Sequence, residues 1–380
     1  MSVTTAAPVA TAVPVPRSGG TAEALLPTAV PVQLVTEAGT AATPPPGYVA
    51  PPDATLREAY RRMVVGRRFD QQATTLTRQG RLAVYPSSRG QEACQVAGVL
   101  SLQEQDWLFP TYRDSMALVA RGVDPVEVLT LLRGDWHCGY DPTTVRVAPV
   151  CTPLATQLLH ATGMADATRR KGEDGVVMAF VGDGGTSEGD FHEALNFAAV
   201  FHAPVVFFVQ NNKYAISVPL AKQSAAPTLA HKGVGYGIRS EQVDGNDLVA
   251  VLAVLTAAVA HARSGRGPFL VEAHTYRMEG HTNADDPDRY RDGDEVRRWS
   301  AADPVDRLRT YLRGKGVLTE QDVETVQAEA EALAADLRAR IDVEALLDPL
   351  ELFAHVYADP TPQLLEQRGQ LQTELQDTED

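Results

Sequence analysis

The chain of 380 residues is 44% hydrophobic and 22% charged, which is typical of a globular protein with a large buried core. Its formal net charge of -15 argues against nucleic acid as the main partner, because a phosphate backbone attracts basic proteins. Since we find no apolar run of membrane-spanning length and no signal-peptide pattern, we expect a cytoplasmic protein with no membrane partner.

The three cysteines, Cys94, Cys138 and Cys151, are odd in number, widely spaced and without a C-x-x-C pair. This pattern favours reduced, buried thiols over a disulfide framework or a zinc site.

The N-terminal segment, residues 1–52, is rich in Pro, Ala, Val and Thr. Closely spaced prolines stop helix propagation, so this composition predicts a disordered arm, with a tether to a large complex as the functional alternative. Apolar residues recur with a helical period from Leu56, and further helices are predicted after Gly90, after Arg113 and over residues 124–133. We expect residues 134–150 to be irregular and a helix to open after Pro153.

Residues 176–219 have the order of a βαβ unit. They read VVMAFVGDGGTSEGDFHEALNFAAVFHAPVVFFVQNNKYAISVP, in which two apolar runs flank a glycine-rich turn and an amphipathic helix. The two parallel strands of such a unit end at the same edge of a sheet. We therefore expect Asp183, after the first strand, to lie close to Asn212, after the second.

This pair suggests a magnesium ion shared with a phosphate group, since Mg²⁺ takes one or two protein oxygens together with phosphate and water. Glycines at positions 182, 184 and 185 would let the backbone approach phosphate oxygens. Two commoner phosphate motifs fail. Ser187 stands at the third glycine of the dinucleotide fingerprint, and Asp190 stands at the lysine of the Walker loop.

Further strands are predicted within residues 235–247 and after Gly267, with a long apolar helix between them. The alternation of strands and helices predicts an α/β fold with a doubly wound, mostly parallel sheet. The polar loop of residues 276–291 follows the last strand and should lie at the ligand-binding edge, which makes His281 a candidate functional residue.

We predict four parts: a disordered arm (1–52), an α/β domain (53–302), a helical C-terminal part packed on the same domain (303–359) and a loosely ordered acidic tail (360–380).

Three motifs carry a family resemblance. GDG at 182–184, closed by the asparagine pair at 211 and 212, resembles the thiamine-diphosphate motif. The longer texts GDGGTSEGDF, QNNKYAIS and YRMEGHTNADDPDRYR are similar to the E1 α subunit of 2-oxo acid dehydrogenase complexes. The similarity covers roughly residues 53–357.

The resemblance implies that thiamine diphosphate is bound with Mg²⁺. It places the metal on Asp183, Asn212 and the Tyr214 carbonyl. The cofactor would contact Tyr112, Arg113, Thr152, Leu154, Gly184, Gly185, Gln210 and His281, and His281 is the best catalytic candidate. From the residues alone, an exposed helix-start arginine is the more usual interpretation of Arg113. An ordinary core leucine is nearly as good an interpretation of Leu154 as a wedge that bends the cofactor.

Branched-chain members of the family also bind a potassium ion. By position, Cys151, Pro153, Thr156 and Gln157 would surround it. Cys151 stands where a serine is usual, and because a thiol is a poor ligand for a hard cation, only its carbonyl could contribute. Thr282 stands where animal relatives carry a phosphorylated serine, and phosphate there would repel an approaching lipoyl domain.

The resemblance further implies an incomplete active site. Thiamine enzymes need a glutamate beside the aminopyrimidine, and in this family it comes from a separate β chain. We therefore expect an α₂β₂ assembly that acylates a lipoylated E2. Pyruvate is the preferred substrate and a branched-chain 2-oxo acid the runner-up. Acetoin dehydrogenase and a non-catalytic scaffold subunit are further alternatives.

Overall fold

The computed structural model describes residues 22–135, 137–342 and 348–378. The chain forms two compact units, residues 1–338 and 339–380, and all the candidate site residues belong to the first. The strands are β1 (Trp107–Phe109), β2 (Val177–Gly182), β3 (Val205–Asn211), β4 (Tyr214–Ala215), β5 (Val218–Pro219), β6 (Arg239–Asp244) and β7 (Phe269–His274).

Five of these strands form one parallel sheet in the order β1, β2, β3, β7, β6, whereas β4 and β5 make a short antiparallel pair. The helices are α1 (Asp53–Arg78), α2 (Glu92–Leu100), α3 (Ser115–Arg121), α4 (Pro125–Arg133), α5 (Pro142–Val145), α6 (Thr156–Lys171), α7 (Gly189–Phe201), α8 (His231–Val234), α9 (Leu248–His261), α10 (Gly293–Ala301), α11 (Pro304–Gly314), α12 (Glu320–Arg340) and α13 (Pro362–Thr378).

The central strands are buried on both faces, as expected of a parallel sheet covered by helices. Alternate side chains of β3, such as Phe207, pack with α6 and α7. Phe208 faces the other way and meets Phe180 edge to face at 5.4 Å. Phe180 in turn contacts Gly98 of α2, where a β-carbon would lie 2.4 Å from the ring. The predicted α/β class with a parallel sheet is confirmed.

The N-terminal segment differs from its prediction. Residues 1–21 lie outside the described residues, but Val32 pairs in parallel with Val243 at the edge of β6, and the Val32 amide donates to the Gln242 carbonyl at 2.9 Å. Leu34 and Val35 are buried. The expectation of a disordered arm is therefore wrong for this stretch. Its apolar residues cover a sheet edge that would otherwise leave backbone groups unpaired.

In two other segments the structure differs from what the sequence predicts. The short strand β1 was not predicted, because three residues are too few to show a period. The segment expected to be a loosely ordered acidic tail contains α13, whose Leu, Gln and Glu residues are good helix formers.

Within the described residues, the stretch Leu248–Arg266 is long and apolar enough to cross a membrane. No apolar segment of this length was expected from the sequence. Most of it is buried within the fold, as is usual for a core helix.

Asp247 joins the N-terminal segment to the sheet domain. Its Oδ2 accepts from the amides of Leu34 at 2.7 Å and Val35 at 2.6 Å, while Oδ1 caps α9 by accepting from the Ala250 amide at 3.1 Å. The buried Arg307 guanidinium lies 3.7 Å from the same carboxylate.

We predict that Asp247→Ala lowers the free energy of unfolding by about 3 kcal/mol, because it removes a helix cap, strands two buried amides and weakens the pairing of a buried cation. Urea denaturation measures this loss, and limited proteolysis should detect earlier cleavage within residues 28–45. The control Asp306→Ala removes only an exposed ion pair with Arg309. Equal losses in both variants would contradict this account.

Candidate active site

A cavity of about 520 Å³ lies at the carboxyl ends of β2 and β3, where ligands bind in open α/β sheets. It collects side chains from segments that are far apart in sequence. The residues of its wall that matter for the chemistry are Gln91, Tyr112, Arg113, Cys151, Thr152, Leu154, Gln157, Asp183, Gly184, Gly185, Gln210, Asn212, Tyr214, Arg277, His281 and Thr282.

The register of the sheet brings Asp183 and Asn212 together, as predicted. Gly182 of β2 pairs with Gln210 of β3, so that the residues after each strand leave the sheet side by side. The backbone amide of Asn212 donates to Asp183 Oδ1 at 3.3 Å. Lys213 and Ile216 then adopt positive φ angles of 78° and 54°. For residues with side chains this conformation is strained, and such strain is concentrated at functional sites.

This turn sets three oxygen atoms beside each other. Asn212 Oδ1 lies 3.1 Å from the Tyr214 carbonyl oxygen and 3.2 Å from Asp183 Oδ1. Each of the three accepts a long hydrogen bond from a nearby N–H: Asn212 Oδ1 from the Tyr214 backbone amide at 3.3 Å, Asp183 Oδ1 from the Asn212 backbone amide at 3.3 Å, and the Tyr214 carbonyl from Arg277 at 3.4 Å. These long contacts offset the repulsion among the oxygens only in part, and a cation among them would offset the rest. The spacing is close to the edge of a magnesium octahedron, about 3 Å for metal–oxygen bonds of about 2.1 Å. Asp183 is 1% exposed, and burial raises the pKa of its carboxyl.

Two glycines of the turn, Gly184 and Gly185, leave no room for a side chain, whereas Gly182 has open space beside it. A β-carbon on Gly184 would lie 2.7 Å from Ala215 Cβ, and one on Gly185 would lie 2.6 Å from Val181 Cγ2. The backbone of the turn therefore approaches both the sheet and the cavity closely, as the sequence predicts for a phosphate-binding turn.

Two arginines and a histidine face this edge from other segments. Arg113 is buried, and its Nη2 lies 2.9 Å from the His281 carbonyl oxygen and 3.1 Å from His281 Nδ1. Arg277 Nη1 lies 3.3 Å from the same ring nitrogen. In the described part of the chain, the Arg113 guanidinium forms no ion pair with a carboxylate. An anion entering the cavity would supply that missing partner.

The same contacts determine the charge of His281. Burial, together with the positive charges of Arg113 and Arg277, lowers its pKa to about 4. The imidazole is therefore neutral at pH 7. Because Nδ1 faces two guanidinium donors, Nδ1 is the acceptor and the proton sits on Nε2.

Comparison with known proteins decides the family. The model of the dehydrogenase E1 component family matches residues 60–344. The chain is 49% identical to a 3-methyl-2-oxobutanoate dehydrogenase subunit alpha of Mycobacterium tuberculosis, over 92% of this chain and 95% of the relative. It is also 40% identical to a pyruvate dehydrogenase E1 component subunit alpha of Acholeplasma laidlawii, over 83% and 92%. The corresponding subunit of Staphylococcus aureus is 41% identical, over 76% and 78%.

The chain belongs to the dehydrogenase E1 component family. It is an E1 α subunit, part of a thiamine-dependent 2-oxo acid dehydrogenase, as the motifs at 182–184 and 211–212 predict.

The structure brings most of the E1 site residues predicted from the sequence to the cavity wall. Leu154 is 46% exposed there, so it is not an ordinary core leucine. Arg113 is buried and not an exposed helix-start residue. Thr152 also lines the cavity, and the Tyr112 ring meets the His281 ring edge to face at 6.0 Å. Pro153 and Thr156 are not among the lining residues.

Three side chains of the segment predicted to bind potassium form hydrogen bonds with other groups of the protein. Cys151 Sγ donates to the Pro153 carbonyl at 3.3 Å, and Thr156 Oγ1 donates to Asp190 Oδ2 at 3.1 Å. Gln157 Nε2 donates to the Phe180 carbonyl at 2.8 Å. The Oε1 atom of Gln157 is buried without a hydrogen-bond partner. A buried orphan acceptor of this kind suits a hard cation.

Sequence reasoning missed Gln91 and Arg277. Arg277 Nη2 donates to the Ile216 carbonyl at 2.8 Å and to the Tyr290 hydroxyl at 2.6 Å, and Nη1 lies 3.4 Å from the Tyr214 carbonyl. It thus fixes the turn that presents Tyr214. The available signal was its place directly after β7, at the ligand-binding edge.

In the described residues, no cluster of three or more His, Cys, Asp or Glu side chains could hold a metal ion. A cation at this edge would therefore depend on mixed oxygen donors: carboxylate, amide and carbonyl.

The lowered pKa of His281 has a consequence for stability. Unfolding returns the pKa toward about 6.5, so between pH 6.5 and pH 4 the unfolded state binds more protons and stability falls as the pH falls. We predict that the melting temperature of ligand-free protein drops less between pH 7 and pH 5 in His281→Asn than in the wild type.

The control is His160→Asn, which alters an exposed histidine on α6 and should follow the wild-type pH dependence. A direct NMR titration of His281 should give a pKa well below the ordinary value. A measured pKa at or above 6.5 would contradict this assignment.

Proposed function

We propose that this edge holds Mg²⁺ between Asp183, Asn212 and the Tyr214 carbonyl, and through it the diphosphate of thiamine diphosphate. The support is the set of three oxygens about Asn212 Oδ1, spaced at 3.1 and 3.2 Å. A divalent cation offsets both their mutual repulsion and the cost of burying the Asp183 carboxylate.

Other residues around the cavity bind and orient the same group. Arg113 and Arg277 provide positive charge for an anionic diphosphate, and neutral His281 presents its Nε2 proton as a hydrogen-bond donor. Gly184 and Gly185 bring the backbone close to it. When bound, thiamine diphosphate supplies the electron sink that decarboxylation of a 2-oxo acid requires.

The apolar wall is assigned to the organic part of the cofactor. Leu154 exposes its side chain toward the cavity, where a branched apolar residue would wedge a bent cofactor, while Tyr112 and Thr152 contact it. Gln157 Oε1, left without a partner, supports a potassium ion next to this segment, with Cys151 contributing its carbonyl instead of its thiol.

The α chain provides only part of the active site. The acids that line the cavity are Asp183, assigned to the metal, and Glu188, at the start of α7. We assign the glutamate that faces the aminopyrimidine to a β chain, which gives an α₂β₂ enzyme that acylates a lipoylated E2 in the cytoplasm. Thr282 borders the cavity mouth and remains a candidate phosphorylation site, which mass spectrometry of the native enzyme would test.

The substrate is a 2-oxo acid. The sequence motifs favour pyruvate, whereas the higher identity, 49% against 40% and 41%, is to a relative named for 3-methyl-2-oxobutanoate. We propose the branched-chain acid as the first substrate to test, with pyruvate as the second candidate.

Replacing Asp183 tests the metal site. Calorimetry of the chain assembled with its β partner should show Mg²⁺-dependent binding of thiamine diphosphate, and Asp183→Ala should weaken it at least about a hundredfold, because the carboxylate ligand of the metal is lost. Glu193→Gln, which changes an exposed acid on α7, is the matched control and should bind as the wild type does. Metal-independent binding would favour the scaffold alternative.

A panel of 2-oxo acids, assayed with matched β and E2 subunits, tests the reaction. We expect turnover of the branched-chain acid with the higher kcat/KM, lower turnover of pyruvate, and no turnover by the α chain alone. Turnover by α alone would refute the shared active site, and a clear preference for pyruvate would reverse the order of substrates.

A further inference from the structure

Contacts at the oxygen cluster favour the observed orientation of the Asn212 side-chain amide only weakly. Its Oδ1 accepts one long hydrogen bond there, from the Tyr214 backbone amide at 3.3 Å. Rotating this amide by 180° would place its nitrogen between Asp183 Oδ1 and the Tyr214 carbonyl, where it could donate to both. The rotated form would gain these two hydrogen bonds and lose the one from the Tyr214 amide, so without a cation it would be favoured locally. Something elsewhere in the protein must keep the oxygen at the metal position.

The other end of the Asn212 amide points to a buried row of side chains. Asn212 Nδ2 donates to Gln91 Oε1 at 3.0 Å, and Gln91 Nε2 donates to Gln210 Oε1 at 2.8 Å. Gln210 Nε2 then donates to Asp114 Oδ1 at 2.7 Å. We call these four residues, Asp114, Gln210, Gln91 and Asn212, the amide relay. All four are at most 6% exposed.

Each amide in the relay donates in one direction and accepts from the other, so all of them must point the same way. Reversing one amide would set two oxygens or two amino groups against each other, which is costly in a buried site. The relay therefore has two self-consistent polarities, and the group at its far end selects between them.

That far end is Asp114. Its Oδ2 accepts from the Thr111 amide at 2.7 Å and the Thr111 hydroxyl at 2.6 Å, and a carboxylate has only acceptors to offer on its other oxygen. Burial raises the pKa of the Asp114 carboxyl, while its three donors and the nearby Arg113 charge oppose that shift. An acceptor at Oδ1 requires Gln210 to present its amino group.

We propose that Asp114, acting through Gln210 and Gln91, fixes the Asn212 amide with its oxygen toward the metal. The inference rests on the proposed magnesium site. It makes Asp114, Gln210 and Gln91 positioning residues, although Gln210 was expected to contact the cofactor. The oxygen and the nitrogen of the Gln210 side-chain amide already form hydrogen bonds within the protein.

The test reverses the direction of the hydrogen bonds in the amide relay with almost no change in the shape of the side chain at position 114. In Asp114→Asn the side-chain oxygen can still accept from Thr111, and its new amino group faces Gln210. The relay then runs the other way and turns the Asn212 nitrogen toward the metal position.

Binding of Mn²⁺ is measured by electron paramagnetic resonance, at fixed thiamine diphosphate, on the chain assembled with its β partner. We expect Asp114→Asn to weaken Mn²⁺ binding by at least about tenfold, the usual scale for residues behind a metal ligand. Without metal, its melting temperature should equal or exceed that of the wild type, since the rotated Asn212 now donates to Asp183. If Asp114 had only a structural role, its replacement would lower the melting temperature.

A second variant restores the original polarity. In Asp114→Asn combined with Gln210→Glu, the new carboxylate accepts from both Asn at 114 and Gln91, so that the Asn212 oxygen returns to the metal. Mn²⁺ affinity should recover to within a few fold of the wild type. This variant also decides the matter if Asp114→Asn folds poorly.

Wild-type binding by Asp114→Asn, or no recovery in the double variant, would overturn the relay. The proposed function fails separately: in that case the wild type binds no Mn²⁺, or Asp183→Ala binds it as well as the wild type does.

Discussion

Three oxygen atoms lie side by side at the carboxyl edge of the sheet, on Asp183, Asn212 and Tyr214. Long hydrogen bonds from nearby N–H groups offset the repulsion among them only in part, so a cation would stabilise the arrangement. Much of the surrounding structure serves to maintain it. The register of β2 and β3 sets the first two side by side, and positive φ angles at Lys213 and Ile216 turn the chain so that the third faces them.

The charges around the cavity are arranged asymmetrically. A buried carboxylate lies at the sheet edge, Arg277 contacts the adjacent Tyr214 carbonyl, and a neutral histidine lies between the guanidinium groups of Arg277 and Arg113. The proposed divalent cation and diphosphate would complement this pattern, because each would offset a charge of the opposite sign.

The sequence predicted those features that depend on local order along the chain. The βαβ unit, the convergence of Asp183 and Asn212, the glycine turn and the placement of His281 all follow from strand and turn patterns together with the parallel-sheet rule. The pairing of Val32 with Val243 did not follow, because proline-rich composition says nothing about which distant strand edge is open. Gln91 was missed for a similar reason, since its role depends on a contact with a residue 121 positions away.

Anomalous X-ray scattering at the manganese edge, from crystals of the α and β chains grown with Mn²⁺ and thiamine diphosphate, would test the central claim most directly. The account predicts one anomalous peak within bonding distance of Asp183, the Asn212 oxygen and the Tyr214 carbonyl, with the diphosphate as a further ligand. A bound diphosphate with no peak at this position, or with the peak on other residues, would contradict it.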